Sequence, residues 1–180
     1  MKKLTIEELD RISVEEFKQT SKIPLIIVLD NVRSLYNVGS IFRTADAYLV
    51  KKIILCGISA TPPNVEIHKT ALGAENTVEW DYYAETLDAV VELRKNNVVV
   101  FAVEQVKNSV MLTDLKLDKN KCYAAVFGNE VKGVQQSVVD AWDGSVELPQ
   151  FGTKHSLNVS TTAGIVIWGF WKQLKLYESV

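Results

Sequence analysis

The chain has 180 residues, 47% of them hydrophobic and 23% charged, with a formal net charge of −2. That is enough apolar residue for one packed domain, expected to span residues 1–180, and the acidic balance excludes nucleic-acid binding by bulk charge. No run approaches the roughly 18 apolar residues of a membrane span, and the acidic, amphipathic first residues do not form a signal peptide, so a cytoplasmic protein with no membrane contact is expected.

Along the chain, Thr5 to Glu8 and Ser13 to Glu16 are capping-box patterns, predicting a helical extension over residues 1–23 that Pro24 ends. Strands are predicted at 25–29, 52–55, 98–103, 123–126 and 145–148. Several are apolar without alternation, as in a parallel sheet covered on both faces. Helical spacing joins Val38, Ile41, Phe42 and Ala45 over 37–48, and Leu87, Val90, Val91 and Arg94 over 86–97. Strands alternating with helices predict an α/β domain with a mostly parallel sheet flanked by helices. Pro62-Pro63 marks a loop. Cys56 and Cys122 adjoin apolar runs and read as reduced, strand-borne thiols. His68 and His155 stand apart, so no metal site is expected.

A last helix is expected over 158–177. Residues 163–171 are all apolar, whereas a surface helix is apolar on one stripe only. A helix with no polar face for over two turns must be covered on two sides. A second copy of the chain is the simplest cover; a central position in a monomeric core is the alternative.

Three polar segments carry the chemistry. The first leaves the 25–29 strand through Asp30, Asn31 and Arg33 and enters a helix, where Asn37 is a candidate cap and Gly39 permits close approach of another backbone or a ligand. Arg43 is the one charge among apolar neighbours there; it also fits the solvent side of an amphipathic helix. The second, Gly128-Asn129-Glu130 to Gly133, follows the 123–126 strand, where an α/β sheet places a ligand. It is not a phosphate-binding loop, because Val134 stands where lysine is required. The third runs from Leu148-Pro149 through Lys154, His155, Ser156, Leu157, Asn158 and Ser160 and opens the last helix, whose first turn offers free backbone N–H groups.

In this order the three segments resemble the three motifs of the SpoU (TrmH-type) RNA 2′-O-ribose methyltransferases of the SPOUT superfamily: Asn37 with Gly39 and Arg43, Gly128-Asn129-Glu130 with Gly133, and Leu148-Pro149 with Ser156 to Ser160. The likeness runs from about residue 24 to the last helix. It implies the SPOUT fold with a C-terminal deep trefoil knot, at about 122–160, that binds S-adenosylmethionine. Ala102, Val103, Glu104, Gly128, Asn129, Leu148, Ser156, Leu157 and Ser160 are its implied contacts. Arg43 is the implied catalytic residue, with Asn37, Glu130 and Asn158 beside it. Since a guanidinium rarely gives up its proton, phosphate grip and stabilisation of a developing alkoxide suit Arg43 better than general-base work.

The resemblance also implies a homodimer acting on RNA. Arg33, Lys132, Lys154 and His155 are candidate RNA contacts. Transfer RNA is the first expectation and ribosomal RNA the second. Thr161 and Thr162 depart from the small apolar residues many relatives carry. Rival readings are a base-methylating enzyme of the same fold and a non-catalytic RNA-binding dimer.

Overall fold

The computed structural model describes residues 2–5, 7–139 and 141–175. Its elements, in chain order, are α1 (Val14–Gln19), β1 (Ile23–Asp30), α2 (Leu35–Ala47), β2 (Val50–Cys56), α3 (Val65–Ala71), β3 (Trp80–Tyr83), α4 (Thr86–Lys95), β4 (Val98–Val103), β5 (Val110–Met111), β6 (Cys122–Phe127), α5 (Gln136–Val139), β7 (Gly144–Glu147) and α6 (Val159–Leu174), with a 3-10 turn at Glu7–Leu9 and another at Ala74–Asn76. The strands form one seven-stranded sheet in the order β3-β2-β1-β6-β4-β7-β5, and each pairing is parallel.

The apolar run of β1 follows from its place near the middle. Leu25, Ile27 and Leu29 join one core with Ile41 and Phe42 of α2 and Ile167 and Phe170 of α6. Ile26 and Val28 join a second core with Ala89, Val90 and Leu93 of α4. A strand buried on both faces has no polar side to show, so its sequence cannot alternate. Each deeply buried leucine here is worth about 2–5 kcal/mol against truncation to alanine.

Both N-terminal capping boxes form. Glu8 and Thr5 bond each other's backbone, as do Glu16 and Ser13. Phe17 of α1 is buried in the first core and ties this extension to the domain. The expected strands and helices are all present within a few residues. Residues 176 and 177 of the expected last helix lie outside the described residues; Asn158 caps α6 and Lys175 follows its end.

Two features differ from expectation, and a third is made specific. Ser34, not Asn37, is the N-cap of α2, accepting from the Asn37 amide at 3.3 Å. The helix therefore starts earlier and leaves the Asn37 side chain free for longer-range contacts. For Gly39 the close approach is that of another backbone, as one of its two readings has it: a β-carbon there would overlap the Ile67 carbonyl and the Thr70 hydroxyl of α3. Finally, α3, β3 and β5 were not expected. They are short, and α3 and β3 bury too few residues to print a period.

Candidate active site

The sheet places its site at the carboxyl ends of the strands. From β1 the chain builds outward through β2 to β3, whereas β6 inserts on the other side of β1, beside β4. The loops leaving adjacent strands on either side of such a reversal part and leave a crevice. Here the crevice is a cavity of about 650 Å³ lined by residues following β4, β6 and β7, among them Glu104, Gly128, Leu148 and Leu157. That volume suits a ligand the size of a nucleoside.

The loop after β6 folds back on itself. Asn129 and Gly133 exchange backbone hydrogen bonds of 3.1 and 2.9 Å, and the Asn129 side chain accepts from the amides of Val131 and Lys132. Gly133 is at φ 67°, the left-handed region, and a β-carbon on Gly128 would overlap the Gly133 backbone. Both glycines are thus needed by the turn itself.

Glu130, at the tip, reaches the N-terminus of α2. Its carboxylate accepts from the Arg33 and Ser34 amides and from Asn37 Nδ2, each at 3.2 Å. Burial pushes its pKa up, but its own backbone, these amides and Asn37 outweigh that and hold it below the usual value. A carboxylate on the free N–H groups of a helix start is the favourable sign for the helix dipole. Asn37 passes the connection on, accepting at Oδ1 from Asn158 Nδ2 at 3.2 Å. Asn158 in turn caps α6, accepting from the Ser160 amide at 2.9 Å and the Thr161 amide at 3.4 Å. One hydrogen-bonded chain, Glu130 to Asn37 to Asn158, therefore joins the three polar segments.

The model of the SpoU rRNA methylase family matches residues 24–168, the stretch that contains this whole arrangement. The chain belongs to that family. Among curated relatives, the 23S rRNA (guanosine-2′-O-)-methyltransferase RlmB of Neisseria meningitidis is 30% identical over 147 residues, 82% of this chain and 58% of the relative. The chain thus spans about three fifths of that relative's length. Among solved structures, the TrmH/SpoU tRNA modifying enzyme of A. aeolicus superposes with a TM-score of 0.78 at 24% identity, covering 89% of this chain and 81% of the other. The AdoMet-bound rRNA methyltransferase of Sinorhizobium meliloti gives 0.77 at 27% identity, over 88% and 60%.

The methyl donor of SpoU methylases is S-adenosylmethionine, and this SpoU chain's cavity suits it. Leu148 and Leu157 supply apolar lining, and Glu104 and Glu130 supply negative charge opposite to a sulfonium. Among the described residues no group of three potential ligands could hold a metal ion, and no helix is long and apolar enough to cross a membrane.

The structure gathers most, not all, of the residues singled out from the sequence. Val103, Glu104, Gly128, Asn129, Glu130, Lys132, Leu148, Ser156, Leu157 and Asn158 line the cavity. Asn37 stands one hydrogen bond behind it. Ala102 does not line it and is buried inside β4. Ser160 lies in the first turn of α6, its hydroxyl donating to Asn158 Oδ1 at 2.6 Å. Arg33 and Lys154 are exposed away from the lining, as is His155, whose carbonyl accepts from Gln105 Nε2. Arg43, exposed on α2, is also outside the lining and makes no ion pair or hydrogen bond among the described residues.

Sequence reasoning missed Gln105, Glu147, Gln150 and Thr162, which also line the cavity. Three of them lie within two residues of a strand's carboxyl end or in the loop after it, and that rule was the available signal.

Proposed function

We propose that this chain transfers a methyl group from S-adenosylmethionine to a ribose 2′-hydroxyl of structured RNA. The single observation that carries the reading is the Glu130–Asn37–Asn158 chain, which assembles three distant motif segments at one cavity. When bound, the cofactor supplies an electrophilic methyl group on a positively charged sulfur. The chain's residues then have three tasks: hold that group, align a hydroxyl with it, and stabilise the oxygen's developing charge. The cavity lining serves the first task. The Asn37 and Asn158 amides, placed at the rim by their partners, serve the second.

Arg43 serves the third in this reading, gripping a neighbouring phosphate with its planar fork and favouring the alkoxide. Its position away from its own cavity lining supports a homodimer, in which a second copy covers the α2–α6 face and Arg43 works at the seam. Trp168 is 47% exposed and Ile165 40% exposed on α6. Trp168 stacks on Trp171 at 5.1 Å between ring centroids and meets Tyr48 of α2 edge-on at 5.7 Å. An exposed aromatic cluster of this kind suits burial in an interface. In the same reading, the loops around 122–160 form the trefoil knot that the family resemblance implies.

The name of the Neisseria relative, a guanosine-2′-O methylase of 23S rRNA, supports the ribose as acceptor and favours ribosomal RNA. The sequence-based expectation was transfer RNA. Incubating the protein with radiolabelled cofactor and separate pools of unmodified transfer and ribosomal RNA, followed by nucleoside analysis, tests both parts. The expected product is a 2′-O-methylated nucleoside from one pool. A base-methylated nucleoside sinks the ribose assignment, and cofactor binding without transfer to either pool favours the non-catalytic rival.

A further inference from the structure

Asp30 is the last residue of β1, has no exposed surface, and joins no ion pair among the described residues. An isolated buried carboxylate is costly unless its oxygens are fully hydrogen-bonded. Here four donors converge on it. Oδ1 accepts from the Thr86 hydroxyl at 2.6 Å, from Asn31 Nδ2 at 2.7 Å and from Gln135 Nε2 at 3.1 Å. Oδ2 accepts from the Gln135 backbone amide at 3.1 Å. Four donors on two oxygens require a group that only accepts; an asparagine would turn an NH2 towards at least one of them.

Gln135 directly follows the glycine turn, between the cavity-lining residues Val134 and Gln136. The preceding amide, Val134 N, is taken by Glu104 Oε2 at 3.2 Å from beyond the end of β4. In the sheet β1 and β4 flank β6 on either side. The loop leaving β6 is therefore gripped at two consecutive amides by carboxylates from its two neighbouring strands. Glu104 lines the cavity, whereas Asp30 does not.

We infer that Asp30 is a positioning residue for the cofactor cavity: by holding Gln135 from behind, it fixes the Gly128–Val134 turn in the shape that receives the ligand. The inference rests on the reading that this cavity is the cofactor site.

Calorimetric titration with S-adenosylmethionine, melting curves and amide hydrogen exchange without cofactor test it on wild type, Asp30→Asn and Gln135→Ala. Leu25→Ala, near the start of β1 and in the other core, is a control that lowers stability away from the turn. For Asp30→Asn the expected results are a cofactor Kd raised about tenfold and faster exchange at Val134 and Gln135, with kcat at saturating cofactor within about twofold of wild type. Leu25→Ala should lower the melting temperature and leave Kd unchanged. A folded Asp30→Asn protein with wild-type Kd and wild-type protection at Val134 and Gln135 overturns the inference. If that variant does not fold, Gln135→Ala decides: it loses only the side-chain donor, so a rise of about threefold in Kd is expected, and no rise overturns the inference. Should wild type itself bind no cofactor, the cavity assignment fails instead, and the exchange rates still decide whether Asp30 holds the turn.

Discussion

The cavity rim and the α2–α6 face stand in contrast. At the rim, Glu104 and Glu130 have amide partners, as does Asp30 buried behind it, and the Asn37 and Asn158 side chains are paired with each other. On the exposed sides of α2 and α6, Arg43 has no partner among the described residues, and Ile165 and Trp168 are open. The rim is thus assembled by a single chain, and cofactor binding is expected of it alone. The open face has the composition of something still to be covered. In the proposed function, holding the donor and completing the chemistry are then separable properties, located on different surfaces.

That separation can be broken by mutation. The largest effect is expected from Arg43→Lys: a fall in kcat of about 10²–10³-fold, because lysine keeps the charge but not the two-pronged geometry, with cofactor Kd unchanged. Near-normal turnover defeats both proposed roles for Arg43. Mixing Arg43→Ala chains with Gly128→Val chains sharpens the point. If Arg43 acts on the partner's cavity, an equal mixture that exchanges subunits recovers about a quarter of wild-type activity; if it acts on its own, none returns.

Trp168→Glu should come next. A charge at the centre of the aromatic cluster weakens self-association by about 10²-fold, read by sedimentation, while cofactor binding persists. A Trp168→Glu protein that sediments as wild type places the interface elsewhere. Gly39→Ala then probes the support beneath both surfaces. The added methyl meets the α3 backbone, so a loss of about 1–3 kcal/mol on urea unfolding is expected.

Smaller again is Glu130→Gln at the exposed rim, with a rise of about three- to tenfold in cofactor Kd. Its pH dependence has a definite sign. The Glu130 carboxyl is held below 4.5 in the fold, so its contribution is complete above 4.5 and is lost as pH falls through its lowered value. Wild-type affinity should fall there, and Glu130→Gln should lack that part of the fall. The smallest response is expected of Cys56. Burial pushes its thiol up to about 12, so alkylation at pH 8 should be negligible until the protein is unfolded.

Much of this was legible in the sequence. The unbroken apolar runs of β1 and β6 announced a parallel sheet, and Ser13 with Glu16 announced a helix start that forms as written. The motif order named most of the singled-out residues that line the cavity. Asn37 was misread as a helix cap because Ser34, three residues earlier, competes for the same role, and local sequence does not rank two good caps. Asp30 reads only as one polar residue of the first segment, since one carboxylate at a strand end looks like any other turn residue until Gln135 arrives from 105 positions away. Arg43 was assigned by motif to a cavity whose lining does not include it.

What the sequence determined by itself was local and periodic: which runs are strands, which faces are apolar, and which glycines and amides stand together in short segments. Only the tertiary structure decided that β6 lies between β1 and β4, and with it which carboxylates reach the glycine turn and which side chains stay open on α2 and α6. Those outcomes depend on strand order, a property of long-range packing that leaves no period in the chain.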